Sequence, residues 1–230
     1  MKKTNPLWNS KVFLVAASLV LACAARADVV YDNSTTDLHV RYNPGSHEVG
    51  DEIVLAPGAN YVTNFQFQYW GTFSGTAQAR VRFYANDGTN SPAGPLVPNS
   101  LLFDSDWFNI DPTTRSTLIF DQTALTAGNA MNLSGAVPDS FTWSVQFQNV
   151  TGGGAGVDLY NPPSVGNNYM EFWDNAGLSD WHYSSLVIDG TNGPANFAAR
   201  VSAVPEPTAL WFGLAGGLAA LVLRHYARRR

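Results

Sequence analysis

The chain has 230 residues, 45% hydrophobic and 13% aromatic, with a formal net charge of -5. Between Asp28 and Ala203, seventeen acids face only five bases (Arg41, Arg80, Arg82, Arg115 and Arg200) and there is no lysine, a net of -12. Such a surface repels phosphate backbones and anionic lipid, which argues against nucleic acid as a partner. Cys23 is the single cysteine, so a domain starting after it holds no disulfide and rests on its apolar core.

The amino-terminal segment carries Lys2, Lys3 and Lys11 and no acid, and an apolar run from Val12 to Ala22 follows. Ala25-Arg26-Ala27 then places small residues at the two positions a signal peptidase must accept. These three parts make residues 1–27 a secretory signal peptide with cleavage between Ala27 and Asp28, and they imply signal peptidase and a Sec-type export machinery as partners. Val20-Leu21-Ala22-Cys23 also resembles a lipoprotein box, but a leucine directly before the small residue is unusual there.

The next 176 residues, 28–203, suffice for one substantial core and are few for two domains. Period-2 alternation predicts half-buried antiparallel strands over Val62–Trp70, Ala77–Tyr84 and Phe141–Gln148. Shorter strands are expected at Asp51–Leu55, Leu101–Asp106, Thr117–Phe120, Val157–Tyr160, Tyr169–Trp173, Trp181–Ile188 and Phe197–Val201. Clusters such as Pro57-Gly58-Ala59-Asn60 and Asn161-Pro162-Pro163 separate them. About ten short strands with proline-bearing connections predict an all-β, antiparallel two-sheet sandwich, jelly-roll-like, with Phe65, Phe67, Val81, Phe83, Trp143, Val145 and Phe147 in its core. Thr151–Gly156 is glycine-dense and reads as a flexible hairpin loop.

Candidate chemistry in this span is sparse. Asp104-Ser105-Asp106 puts two carboxylates on one side of a strand or turn, as a structural calcium ion requires, but the D-x-D-x-D-G spacing of a dedicated loop is missing. The histidines are scattered and no H-E-x-x-H occurs, which leaves zinc without a ligand set. There is no G-x-S-x-G elbow. Glu171 among the aromatics of YMEFWDN, with Asp174 nearby, is the one pair that evokes glycoside hydrolysis; Asp174 is expected in the turn beyond Glu171. The expectation is therefore a protein that is not an enzyme and carries no cofactor. Carbohydrate binding is the more specific alternative. Trp70, Trp107, Trp173 and Trp181 at strand ends or in loops would supply stacking faces, beside Gln66, Gln68, Arg80, Arg82, Tyr84, Gln146 and Gln148 on the outward sides of strands.

The last 27 residues, 204–230, read VPEPTALWFGLAGGLAALVLRHYARRR. Thr208–Leu223 is a 16-residue run without charge, closed by Arg224 and by Arg228, Arg229 and Arg230. As a helix it would measure about 24 Å, extended by Tyr226 and the arginine stems toward a membrane span with its basic end in the cytoplasm. Pro205-Glu206-Pro207 keeps the chain extended just outside the bilayer. The tripeptide, apolar helix and arginine cluster together resemble the PEP-CTERM sorting signal of bacterial surface proteins. That resemblance implies a Gram-negative-type envelope and recognition of Pro205, Glu206 and Pro207 by an exosortase, with the arginines as the stop-transfer cluster. It also implies a single-pass precursor whose domain lies outside the cytoplasmic membrane, then a place on the cell surface or in a matrix of exopolysaccharide and biofilm. Thr208 where serine is common, and His225-Tyr226-Ala227 within the basic run, depart from the pattern. The expected role is structural or interactive, with a carbohydrate-binding module as the alternative.

Overall fold

A computed structural model describes residues 26–89, 96–122, 131, 133, 135–177, 180–188 and 191–205. The expected signal peptide, up to Ala25, and the expected sorting signal from Glu206 on, with its apolar run and arginines, lie outside the described residues. Within them the chain is all-β, with sixteen strands and no helix. In chain order these are β1 Asp28–Asn33, β2 Asp37–Tyr42, β3 Glu48–Val54, β4 Tyr61–Gly71, β5 Ala77–Ala85, β6 Leu101–Asp104, β7 Phe108–Ile110 and β8 Thr113–Asp121. There follow β9 Ser140–Gln148, β10 Ala155–Tyr160, β11 Asn167–Asn168, β12 Phe172–Asn175, β13 His182–Ser184, β14 Leu186–Ile188, β15 Thr191–Gly193 and β16 Ala199–Val204.

Two antiparallel sheets hold all but the small β14–β15 hairpin. In the first, β4 is central: β8 lines one edge, while β16 and then β10 share the other. Beyond them β1 pairs β16 and β2 pairs β10. The second sheet runs β13-β12-β3-β9-β5-β6, with β11 also on β3 and β7 also on β5.

The alternation read in the sequence becomes the inter-sheet core. Phe65 and Phe67 of β4 meet Trp143 of β9 at ring distances of 5.1 and 5.7 Å, and Phe65 meets Phe83 of β5 edge-on at 4.9 Å. All seven residues expected in the core are buried. Each large side chain so buried contributes about 1.5–3 kcal/mol, and each aromatic pair about 0.5–1.5 more.

The strand expected over Trp181–Ile188 divides into β13, in the second sheet, and β14, in the small hairpin. Three further expectations change. β1 and β2 add to the expected strands: DVVYDN carries little alternation, whereas DLHVRY sets Leu38, Val40 and Tyr42 against Asp37, His39 and Arg41 over only six residues. The strand expected at Tyr169–Trp173 begins only at Phe172, and Tyr169 and Met170 are exposed. Asn168 pairs Ile53 and Trp173 pairs Gly50, so five steps of this chain span three of β3, and the surplus bows outward.

The third is the glycine-dense stretch, which is no hairpin. It carries the chain from β9 in the second sheet to β10 in the first, tied by Thr72 N–H to the Gly154 carbonyl (2.8 Å) and Ser74 N–H to the Thr151 carbonyl (2.9 Å). A Cβ on Gly153 would strike the Thr72 backbone, and one on Gly156 the Tyr42 carbonyl oxygen. Gly153 and Gly156 serve close packing, while Gly152, at φ 70°, supplies the left-handed turn. Gly156→Ala is accordingly expected to cost at least about 1–3 kcal/mol in urea unfolding. Gly135→Ala, where a Cβ meets nothing within 4 Å, should leave the midpoint unchanged.

Candidate functional site

The outward face of the second sheet carries the densest polar arrangement. Register sets Arg82 opposite Ser144, Arg80 opposite Gln146, and Gln146 opposite Glu48, so one strand face from each of β3, β9 and β5 converges. The Glu48 carboxylate, 2% exposed, accepts hydrogen bonds from Ser144 Oγ (2.6 Å), Arg82 Nη1 (2.7 Å) and Tyr84 Oη (3.1 Å). Burial and then the Glu48 charge push the Tyr84 phenol well up, so it stays a neutral donor. Asp104 on β6 receives Arg80 through Nε (2.7 Å) and Nη2, and Arg82 through Nε (3.3 Å). Burial alone would raise the Asp104 carboxyl, but these bonds, the Asp106 N–H and both arginine charges hold it below the ordinary range.

Farther along β3, Glu52 accepts from Ser140 Oγ (3.1 Å) and from Trp173 Nε1 (3.4 Å), and burial pushes its carboxyl up. Four residues of strand separate Glu48 from Glu52, about 13 Å along the backbone. Carboxyl pairs in glycoside hydrolases stand about 5–9.5 Å apart, and each of these two is already enclosed by its own donors.

The first sheet repeats the pattern. Asp158 on β10 is fully buried between Arg41 Nε and Arg115 Nε, each 3.3 Å away, and Arg115 Nη2 also reaches Asp37 Oδ2 at 2.7 Å. Arg200 pairs with Asp32 at 3.7 Å. All five arginines between Asp28 and Ala203 are thus matched to a carboxylate. Beside Arg200 lies a shallow depression of about 60 Å³, lined by Gln66, Gln68, Thr117 and Ser34.

The tryptophans do not form one platform. Trp173 is fully buried against Tyr183 at 4.8 Å, which removes it as a stacking face. Trp70 on the first sheet lies under the Arg41 guanidinium (5.7 Å), and Trp107 lies under Arg80 (5.9 Å). Trp181 meets Tyr84 edge-on at 5.5 Å. Three of the four therefore gather on the outer side of the second sheet, where Trp107 and Trp181 stay half-exposed.

The calcium candidates fare similarly. Asp104 is occupied by two guanidinium groups, and Asp106, exposed and at φ 55°, gives its N–H to Asp104 Oδ1 (2.9 Å). Among the described residues no group of three or more His, Cys, Asp or Glu side chains is placed to hold a metal ion. Asp174 sits in β12, not in a turn, and takes His47 Nδ1 at 3.0 Å, whereas Glu171 accepts from Tyr183 Oη at 3.4 Å.

Sequence reading missed Glu48, Asp158 and Asp51. The first two occupy outward strand positions, and only the pairing register brings their arginines to them. Asp51 points into the core opposite Trp143, fully buried, with Phe197 N–H donating to Oδ2 at 2.9 Å. Burial, with the Glu52 charge in support, raises its carboxyl well above the ordinary range against the pull of that bond.

No protein-family model matches the chain, and no curated protein matches it.

Two outcomes follow. Arg82→Ala strands a buried Glu48 and should cost about 3–5 kcal/mol, while Arg82→Met combined with Glu48→Leu should recover most of that loss in the same denaturation assay. Asp51 ionises near pH 3.9 in the unfolded chain but keeps its proton to higher pH in the fold. The folded state therefore holds the extra proton between those values, and its stability falls as pH rises through that window, by up to about 1.4 kcal/mol per pH unit. Asp51→Asn keeps the acceptor for Phe197 N–H and should flatten unfolding stability against pH from pH 4 upward, leaving the smaller slope that the raised Glu52 carboxyl contributes.

Proposed function

We propose that this chain is an exported cell-surface or extracellular-matrix protein, sorted and cut by an exosortase at Pro205-Glu206-Pro207, with a structural or interactive role in envelope, exopolysaccharide or biofilm. The tail carries this reading: tripeptide, apolar run and terminal arginines, together with a signal peptide at the other end. The fold supports it by where it starts and stops. β1 opens at Asp28, the residue after the expected signal cleavage, and β16 closes at Val204, the residue before Pro205. Asp28 and Ala203 are direct partners, so the two expected cutting points flank one strand pair and neither removes a residue from it. We further read the sandwich as jelly-roll-like, on the repeated passage between sheets from β2 to β3, β4 to β5 and β9 to β10.

A second reading, a carbohydrate-binding module of the same surface system, draws on the neutral amide and hydroxyl lining of the depression beside Arg200. Arginines covering Trp70 and Trp107, and the burial of Trp173, place it second. No catalytic step is assigned.

The test is the intact mass of the protein from surface and medium fractions of its native host. A product beginning at Asp28 and ending near Pro205 is expected. A species running from Asp28 to Arg230, found only in membranes, would overturn the processing step.

A further inference from the structure

β8 is a nine-residue strand at the edge of the first sheet, paired only with β4. Which of its backbone groups point off the sheet follows from the opposite edge of β4. Gln68 N–H donates to the Ala198 carbonyl there (3.1 Å), so the even-numbered residues of β4 face β16 and β10. Phe65, Phe67 and Tyr69 then face β8, opposite Phe120, Leu118 and Ser116. Antiparallel ladders alternate, so Arg115, Thr117, Ile119 and Asp121 direct their N–H and C=O groups outward.

The ends of this row are occupied. Arg115 N–H and C=O both engage the Thr113 hydroxyl (3.2 and 3.0 Å), and the Asp121 carbonyl accepts from Met131 N–H (3.3 Å). Thr117 and Ile119 have no backbone partner off the sheet among the described residues. The stretch STLIF carries none of the lysines or prolines that guard natural edge strands, and the Ile119 side chain is 46% exposed.

We propose that this edge pairs with the same edge of a second copy of the chain, antiparallel across a two-fold axis at Leu118. In that register Thr117 lies opposite Ile119 of the second copy, and Ile119 opposite its Thr117. The open groups of the two strands are then consumed by one another in four hydrogen bonds. The Thr117 methyl covers the exposed Ile119. Leu118, half-buried and packed against the core, meets its own copy at the narrow, non-hydrogen-bonded position, where Cα atoms stand about 4.5 Å apart. Arg115 falls opposite Asp121, so no like charges face each other. The contact is isologous and closes at two copies, which separates it from open-ended edge aggregation. It does not depend on how the tail is processed.

The test uses the purified full chain. In a Cys23→Ser background, which is otherwise free of cysteine, Leu118→Cys places two sulfurs across the axis within disulfide reach. Mild oxidation is expected to double its mass on a non-reducing gel, whereas Thr35→Cys, an exposed bend position between β1 and β2 and off the proposed axis, stays single. Because Leu118→Cys also trims a packed side chain, Ile119→Lys gives an independent reading. It alters an exposed position, should halve the sedimenting mass of the otherwise wild-type chain, and should leave its melting temperature unchanged. A wild-type chain that sediments as a monomer, or a dimer indifferent to Ile119→Lys, overturns the proposal.

Discussion

The pairing of β1 with β16 is the constraint on which the rest of the fold depends. Asp28 lies against Ala203 and Asn33 against Ala199, and β16 in turn pairs with β4 along Val62–Phe67. The first and last strands of the sandwich are therefore neighbours, and the last lies against the central strand that sends Phe65 and Phe67 into the core. Removing either end would open the first sheet beside its most buried residues. With no disulfide between Asp28 and Ala203, the closure rests on ladder hydrogen bonds and on Tyr31, Val201 and Ala203, all fully buried.

Charge is organised around the same two sheets. A domain with seventeen acids and five arginines has no cation to spare, and each arginine lies outward on a strand against a buried or half-buried carboxylate. Three guanidinium groups also lie over aromatic rings: Arg41 over Trp70, Arg80 over Trp107 and Arg115 over Tyr160. These contacts add about 0.5–1 kcal/mol each where exposed. They also cover faces that a ligand ring would need. The positive charge is spent within the fold, and the remaining acids set the field that a partner meets.

How much of this was legible beforehand divides along physical lines. The long strands could be read because a half-buried strand writes its two faces into alternate residues, as in VTNFQFQYW and AQARVRFY. β3 could be read only in part. EVGDEIV is buried up to its last residue, Val54, since its outward Glu48 and Glu52 are covered by side chains from neighbouring strands, and nothing in the local pattern announces that cover. The ion pairs were illegible for a related reason: Arg82 and Glu48 are 34 residues apart and meet only through β9, between their strands. Asp51 broke the pattern outright, a carboxyl inside the core where alternation expects an apolar residue. The glycines of Thr151–Gly156 were visible, but their reason, the approach of the Thr72 and Tyr42 backbones, belongs to tertiary structure.

The central claim is a self-contained sandwich bounded by Asp28 and Pro205, which the proposed processing at either end would leave whole. Limited digestion of the purified full chain with a protease of broad specificity, followed by mass measurement, tests it most directly. The account predicts one resistant fragment that begins near Asp28 and ends near Pro205. Trimming that proceeds into β1 or β16, or a chain degraded throughout once its ends are cut, would contradict it.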